Sequence, residues 1–146
     1  MIAALYDIHG NLPALEAVLQ EVRNSGVSRI IVGGDVCPGP MAVECLELLL
    51  AQELPVDFIQ GNGDRETLAV RRGEPTSFPE AFRETVAWCA AQLPAAQEAS
   101  MRGWPSTTRV QLPDGKRVLF CHATPRNDTD IFTRVTPEAQ LRALFE

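Results

Sequence analysis

The fold class follows from residues 1–35, MIAALYDIHGNLPALEAVLQEVRNSGVSRIIVGGD. An apolar run of strand length, residues 2–6, ends at Asp7, and a helical spacing of apolar residues begins after Pro13. This spacing predicts a helix whose buried face is formed by Leu15, Val18, Leu19 and Val22. A second apolar run, residues 29–32, ends at two glycines and an aspartate. The stretch therefore predicts a strand, a helix and a second strand.

The alternation continues beyond this unit. Residues 41–52 have the apolar spacing of a second helix, and residues 56–59 predict a third strand that ends at Gly61-Asn62-Gly63-Asp64. Strands and helices that alternate with short connections are typical of a parallel sheet covered by helices. We therefore expect an α/β fold in which the polar strand ends meet at one edge of the sheet.

The second half of the chain predicts further helices and one hairpin. Residues 64–104 have helical spacing interrupted by prolines. In the central helix of this segment, the buried residues are expected to be Phe82, Val86 and Cys89. Pro113-Asp114-Gly115 is a turn signal between two β-rich runs, residues 107–112 and 116–121. After a polar loop, a last helix is expected to open at Thr136-Pro137.

Composition and charge limit the classes of protein. The chain has 146 residues, of which 45% are hydrophobic and 22% charged, as in one globular domain. Its formal net charge of −6 argues against an extended nucleic-acid surface and against an anionic membrane as partner. No apolar run approaches about 20 residues and no basic leader precedes residues 1–6, so we expect neither a membrane span nor a signal peptide, and a cytoplasmic location.

Cysteines and tryptophans are expected to be structural. The four cysteines lack CxxC spacing, which favours free thiols over disulfides or a zinc site, and at least three are expected in the core. Trp88 and Trp104 are expected to serve core and hinge packing rather than base stacking.

Four polar clusters follow predicted strands: residues 7–11, 33–35, 61–64 and 121–122. Ligands of such sheets bind outside the carboxyl ends of the strands. Asp7 and His9 lie two apart, so in an extended segment their side chains point to the same side and can share one ion. Carboxylate, amide and imidazole ligands together suit Mn, Fe, Ni or Zn better than calcium. Taken singly, Asp7, Asp35, Asn62 and His122 are better explained as turn caps or surface polar groups, whereas the DxH spacing favours a ligand role for His9 over a turn cap.

The series DxH, GD, GN and a later His resembles the calcineurin-like metallophosphoesterase superfamily. The segments DIHGNLPALEAVL (7–19) and GGDVCPGP (33–40) resemble its small bacterial branch of phosphodiesterases and diadenosine-tetraphosphatase-like phosphatases. The resemblance covers nearly the whole chain in order. It implies an α/β sandwich of two β-sheets flanked by helices, present over residues 1–146 as a single domain that lacks its C-terminal strands.

The resemblance also implies two divalent metal ions. Asp7 and His9 would hold the first ion, Asp35 would bridge both, and Asn62 with His122 would hold the second. The implied reaction is hydrolysis of a phosphodiester, a phosphomonoester or a dinucleoside polyphosphate, in which a metal-bridging hydroxide attacks phosphorus. The implied catalytic residues are Asp35, Asn62 and Asp64, and the implied substrate is a small phosphate ester or a phosphoprotein.

Four further residues are candidates for binding the substrate. Asn11 is expected to cap the first helix and also to face the site. Arg65 follows the Asn62 motif and is either a phosphate ligand, through its planar donor fork, or an exposed arginine at a helix start. Arg126 and Asn127 belong to the polar loop near His122, where a solvated loop is the competing interpretation.

Two departures from the family pattern limit the expectation. Gly63 stands where the family has a histidine that is a candidate to protonate the leaving group, so Asp64 lacks its usual partner. No GHxH motif follows His122, which indicates a truncated chain with weak metal binding and low activity. The alternative is a catalytically impaired binding or scaffold protein of the same fold. Unpaired strands of the second sheet also make a homo-oligomer plausible, whereas no GxGxxG supports a Rossmann-type nucleotide site.

Overall fold

Two sheets carry the fold in the computed structural model, which describes residues 1–145. The first half contains β1 (Ile2–Leu5), α1 (Leu12–Asn24), β2 (Arg29–Val32), α2 (Ala42–Leu50) and β3 (Val56–Phe58). The second half contains α3 (Asn62–Arg71), α4 (Glu80–Gln92), α5 (Ala95–Arg102), β4 (Thr107–Gln111), β5 (Arg117–Cys121) and α6 (Glu138–Phe145). The predicted α/β sandwich is confirmed, with strand and helix bounds close to the expected ones.

The first sheet is parallel, with strand order β1-β2-β3. In its register Ala4 lies beside Ile31, and Ile31 lies beside Asp57. The second sheet is the antiparallel hairpin of β4 and β5, in which Thr107 pairs with Cys121. All three parallel strands therefore end at the same edge, as the sequence predicts.

Strand β2 explains how the two sheets and the helices share one core. Its side chains alternate between the two faces of the sheet. Ile30 and Val32 are buried among residues of α1 and α2, whereas Ile31 is buried against Val110 of the second sheet. A strand covered on both faces must be apolar at every position, which is why residues 30–32 form a continuous apolar run.

Helix α1 begins as expected, but its buried face is narrower. Asn11 caps the helix, since its side-chain oxygen accepts a hydrogen bond from the Ala14 N–H at 3.2 Å. Leu15, Leu19 and Val22 are buried, but Val18 is 42% exposed, so its predicted burial is wrong. Val18 borders an open cavity beside β1, which is an edge strand of the parallel sheet.

The aromatic residues of the second half divide in a way that spacing does not reveal. Trp104 is almost buried and stacks on Phe58 with ring centroids 4.7 Å apart, as expected of core packing. Trp88 and Phe82 are 50% and 56% exposed, so the burial predicted for both is wrong. Helix α4 turns Val86 and Cys89 inward, as predicted, together with Ala90.

The cysteine prediction is confirmed. Three of the cysteines are buried, the fourth is partly buried, and all four are free thiols. Within residues 1–145, no helix has both the length and the apolar character needed to cross a membrane.

Candidate metal centre

Loops that follow the parallel strands meet at one edge and are joined by backbone hydrogen bonds. The amide of Asp7 donates to the Gly34 carbonyl at 3.2 Å, and the amide of His9 donates to the Asp35 carbonyl at 2.9 Å. The amide of Gly10 extends this ladder by donating to the Val36 carbonyl at 3.0 Å. These bonds fix the loop after β1 against the loop after β2.

The backbone at this edge turns through the left-handed region. Asp7, His9 and Asp35 have φ angles of 53°, 46° and 57°. Such angles are uncommon for residues other than glycine and cluster at functional sites. The prediction that Asp7 and His9 lie in an extended segment is therefore wrong, because β1 ends at Leu5. Their side chains approach each other all the same, with 3.8 Å between His9 Nε2 and Asp7 Oδ1.

Asp35 lies at the centre of the donor cluster, which we define as Asp7, His9, Asp35, Asn62 and His122. Its Oδ2 is 3.6 Å from His9 Nε2, and its Oδ1 is 3.7 Å from His122 Nε2. The carboxylate thus presents one oxygen to each imidazole. Donor atoms of Asp7, Asp35 and His122 all lie within 4.8 Å of one another, which is a spacing that could hold a metal ion.

Backbone carbonyls orient both imidazoles toward the cluster. His9 Nδ1 lies 3.2 Å from the Pro38 carbonyl oxygen, and His122 Nδ1 lies 2.9 Å from the Gly33 carbonyl oxygen. A carbonyl oxygen only accepts, so each Nδ1 must donate, and in a neutral imidazole the lone pair then lies on Nε2. This arrangement is typical of metal-binding histidines.

His122 provides the test of whether a cation fits. Its Nε2 lies 3.1 Å from Asn62 Oδ1 and faces the carboxylate of Asp35, so acceptor atoms converge on one point. Burial raises the pKa of Asp35, although His122, the Gly63 amide and His9 act in the opposite direction. Converging acceptors repel one another unless a positive charge lies between them. The donor set therefore fits a divalent cation.

Asp64 supports this cluster from a fully buried position. Its Oδ2 accepts hydrogen bonds from the amides of Asp35 (2.8 Å) and Gly61 (3.1 Å), and its Oδ1 accepts one from the amide of Cys37 (2.9 Å). Burial raises the pKa of Asp64 to about 7, even though the three amides lower it. Both oxygens are thus engaged by the backbone, and the structure assigns Asp64 to holding the Asp35 loop. The sequence signal for this role is its place three residues after Gly61, at the start of α3.

Gly63 leaves no room for the side chain that the family pattern has at this position. Its amide donates to Asp35 Oδ1 at 2.7 Å. A Cβ added here would lie 2.2 Å from the carbonyl oxygen of Cys37 and 3.0 Å from Cδ of Pro38. The backbone of residues 37–38 therefore occupies the space beside Gly63.

This crowding predicts that Gly63→Ala destabilises the protein. Overpacking against backbone should lower the free energy of unfolding by about 1–3 kcal/mol. Gly103→Ala is the matched control, because its Cβ would make only an ordinary 3.4 Å contact with the Ser100 carbonyl. Urea denaturation checks the prediction, and equal midpoints for the two variants would contradict it.

The four candidate substrate-binding residues all hydrogen-bond to protein groups. Asn11, the cap of α1, borders a cavity of about 390 Å³ that Tyr6 and Asp7 also line. Arg126 pairs with Asp130 and also donates to the Ala143 carbonyl. The remaining two are equally engaged, since the Asn127 side chain accepts from two loop amides and Arg65 pairs with two carboxylates. The structure thus places Asn11 and Asp7 at the same cavity and gives all four candidates protein partners.

Comparisons with known proteins agree with this geometry. The family model described as "Calcineurin-like phosphoesterase superfamily domain" matches residues 1–144. An uncharacterized protein of Methanocaldococcus jannaschii is 30% identical over 128 residues, which are 87% of this chain and 51% of that protein. The chain therefore spans about half the length of this curated relative.

Two solved structures are similar in fold. A hypothetical protein from Pyrococcus horikoshii matches 99% of this chain and 64% of its own, with a TM-score of 0.81 and 20% identity. A metallophosphoesterase from Sphaerobacter thermophilus matches 90% of this chain and 50% of its own, with a TM-score of 0.68 and 28% identity. The described residues therefore correspond to part of the larger folds of these neighbours.

Proposed function

This chain belongs to the calcineurin-like phosphoesterase superfamily, and from that premise we propose that it hydrolyses phosphate esters with two divalent ions at the donor cluster. The observation that carries the proposal is the Asp35 carboxylate, which faces one histidine with each oxygen. A carboxylate in this position is suited to bridge two metal ions.

Each residue of the donor cluster has a proposed place. Asp7 and His9 hold one ion, Asn62 and His122 hold the other, and Asp35 contacts both. The Pro38 and Gly33 carbonyls fix the two rings so that Nε2 is the ligating atom. Mn, Fe, Ni and Zn are the candidate ions, because all four accept imidazole and carboxylate together.

Hydrolysis of a phosphate ester requires positive charge at the donor cluster, although the protein as a whole is acidic. When bound, the ions supply a water of lowered pKa and the charge that stabilises the phosphate oxygens. Asp7 and Asp35 bring two negative charges to the cluster, which two divalent cations exceed. A phosphate ester can then approach a chain whose net charge is −6. The candidate substrates are phosphodiesters, phosphomonoesters, dinucleoside polyphosphates and phosphoproteins.

The position of Gly63 predicts a strong dependence on the leaving group. No side chain at residue 63 can protonate the departing oxygen, and both oxygens of Asp64 accept backbone hydrogen bonds. General acid catalysis contributes about 10²–10⁴-fold, so kcat/KM should fall by at least about 100-fold from p-nitrophenyl to alkyl leaving groups. A series of methyl aryl and dialkyl phosphodiesters checks this, and a kcat/KM that is independent of leaving-group pKa would contradict it.

The direct test of the function is metal-dependent turnover. Bis(p-nitrophenyl) phosphate is offered to the full chain with Mn, Fe, Ni or Zn, and Asp35→Asn serves as the control for contaminating phosphatases. Metal-dependent turnover by the wild-type chain, with none by Asp35→Asn, supports the proposal.

A second candidate is a binding or scaffold protein that has kept the fold and lost catalysis. The missing side chain at Gly63 favours this alternative. Metal binding without turnover of any ester in the series would select it.

A further inference from the structure

We infer that Arg65 and Asp128 form a latch that sets the position of Asn62 relative to His122, so that Arg65 is a positioning residue and not a phosphate ligand. The inference rests on the proposed metal site, whose second ion these two ligands hold. The Arg65–Asp128 latch joins residues 63 positions apart in the sequence.

The need for a latch follows from the topology. Asp7, Asp35 and Asn62 follow strands of the parallel sheet, whereas His122 follows β5 of the separate hairpin. The position of His122 relative to Asn62 therefore depends on contacts between the two sheets. A small apolar cluster and the bond from the Gln60 amide to the Pro105 carbonyl, at 2.9 Å, supply such contacts, and at the cluster itself His122 Nδ1 lies 2.9 Å from the Gly33 carbonyl.

At the metal edge, the latch supplies a charged contact of defined direction. Arg65 Nε donates to Asp128 Oδ2 at 2.7 Å and Nη2 donates to Oδ1 at 3.2 Å, which is the bidentate arrangement. The third nitrogen, Nη1, donates to Glu66 Oε1 at 2.9 Å. Each of the three guanidinium nitrogens thus donates to a carboxylate, and the Nε–Nη2 edge expected to bind phosphate already pairs with Asp128.

The helix side of the latch is fixed by Glu66, a buried acid that sequence reasoning missed. Its carboxylate accepts from the Ser77 amide (2.8 Å), the Ser77 hydroxyl (2.7 Å) and the Thr76 hydroxyl (2.7 Å). Burial by itself raises the pKa of Glu66, but the hydrogen bonds from Ser77, Thr76 and Arg65 outweigh it and lower the pKa to about 2. Glu66 therefore stays ionised and holds Arg65 in place.

The loop side of the latch is equally ordered. Thr124, which is buried, donates from its hydroxyl to Asp130 Oδ2 at 2.9 Å. The amides of Thr129 and Asp130 donate to Asn127 Oδ1 at 3.0 and 2.8 Å. Asp128 thus belongs to a loop that is ordered by its own hydrogen bonds. A contact that fixes Asp128 therefore also fixes the segment that follows His122.

The test is a double-mutant cycle on the full chain with Mn²⁺ as the probe. Arg65→Gln, Asp128→Asn and the double variant are compared with Arg72→Gln, a control at the C-terminal cap of the same helix whose exposed partner is Glu74. Loss of a group that hydrogen-bonds directly to a metal ligand weakens metal binding about 10–100-fold, and Arg65 and Asp128 act one contact further out, so a rise near the low end of that range is expected. We expect this rise in Kd for each single latch variant, no further rise in the double variant, and no change for Arg72→Gln.

Two more readouts separate positioning from a general structural effect. The visible absorption of bound Co²⁺ should change in both single variants, because the geometry at His122 changes. Arg65→Lys keeps the charge but cannot make the bidentate contact, so its Kd should lie between those of wild type and Arg65→Gln. Circular dichroism confirms that each variant is folded.

The opposing interpretation makes a different prediction. If Arg65 binds substrate phosphate, Arg65→Gln should weaken inhibition by inorganic phosphate, Asp128→Asn should strengthen it by freeing the arginine, and Mn²⁺ affinity should not change. That pattern, or wild-type Mn²⁺ affinity in both single variants, overturns the inference even if the chain hydrolyses esters. Weakened Mn²⁺ binding in both, in a chain that turns over no ester, upholds the latch and refutes the proposed function. A wild-type chain that binds no Mn²⁺ overturns both.

Discussion

Replacing Asp35 by asparagine should lower hydrolysis of bis(p-nitrophenyl) phosphate by more than about 100-fold, beyond the range seen for outer-shell partners, while the protein stays folded. Asp35 is almost fully buried, and its carboxylate faces His9 with one oxygen and His122 with the other. The amide of asparagine keeps the shape and one acceptor, but one side of the cluster then meets an NH₂ group that cannot bind a cation.

The free energy of unfolding of metal-free Asp35→Asn should be equal to or higher than that of the wild-type protein. Burial raises the pKa of Asp35, so the ionised carboxylate is a cost to the metal-free fold. Initial rates at saturating Mn²⁺ and urea denaturation without metal check the two halves of this prediction. Asp114→Asn, in the exposed turn of the hairpin, is the control, and loss of activity in both variants would contradict the account.

The second large effect is expected for Asp64→Ala, which should destabilise the fold. The change leaves three buried amides, those of Asp35, Cys37 and Gly61, without an acceptor. At about 1–3 kcal/mol for each unsatisfied group, the free energy of unfolding should fall by about 3 kcal/mol or more near pH 5. This is a large share of the stability of an ordinary domain.

The effect should depend on pH with a defined sign. The pKa of Asp64 is about 7 in the folded protein and 3.8 as the ordinary value, so the folded state binds more protons between these limits. The contribution of Asp64 to stability therefore falls as pH rises from about 4 to 7, and the gap between wild type and Asp64→Ala should narrow over that window. Urea denaturation at several pH values measures the gap. Asp57→Ala, which removes a partly exposed ion pair with Arg29, should cost about 1 kcal/mol or less. A gap for Asp64→Ala that is no larger, or one that widens with pH, would contradict the role given to Asp64.

The sequence was sufficient to predict the sheet and the residues at its edge, because both leave local signals. A continuous apolar run such as residues 30–32 predicts a strand covered on both faces, and parallel strands must end together. The DxH spacing did bring Asp7 and His9 together, but through left-handed turns that the spacing does not encode. Periodicity also failed at Val18 and Phe82, since it identifies a helix face and not what covers that face.

Long-range contacts left no comparable signal. The bond of Asp64 to the Cys37 amide and the pairing of Arg65 with Asp128 join residues far apart in the chain. In the sequence, Arg65 resembles a phosphate ligand, and only the fold shows that its Nε–Nη2 edge is paired with Asp128. The sequence therefore predicts most of the donor residues but not the long-range contacts that hold them in place.

The account depends most directly on whether the donor cluster binds metal. Titration of the full chain with Mn²⁺, with free ion measured by electron paramagnetic resonance, gives the number of bound ions. We predict weak but saturable binding that approaches two ions per chain and is lost in both Asp35→Asn and His122→Ala. No saturable binding, or the same binding by wild type and Asp35→Asn, would contradict it.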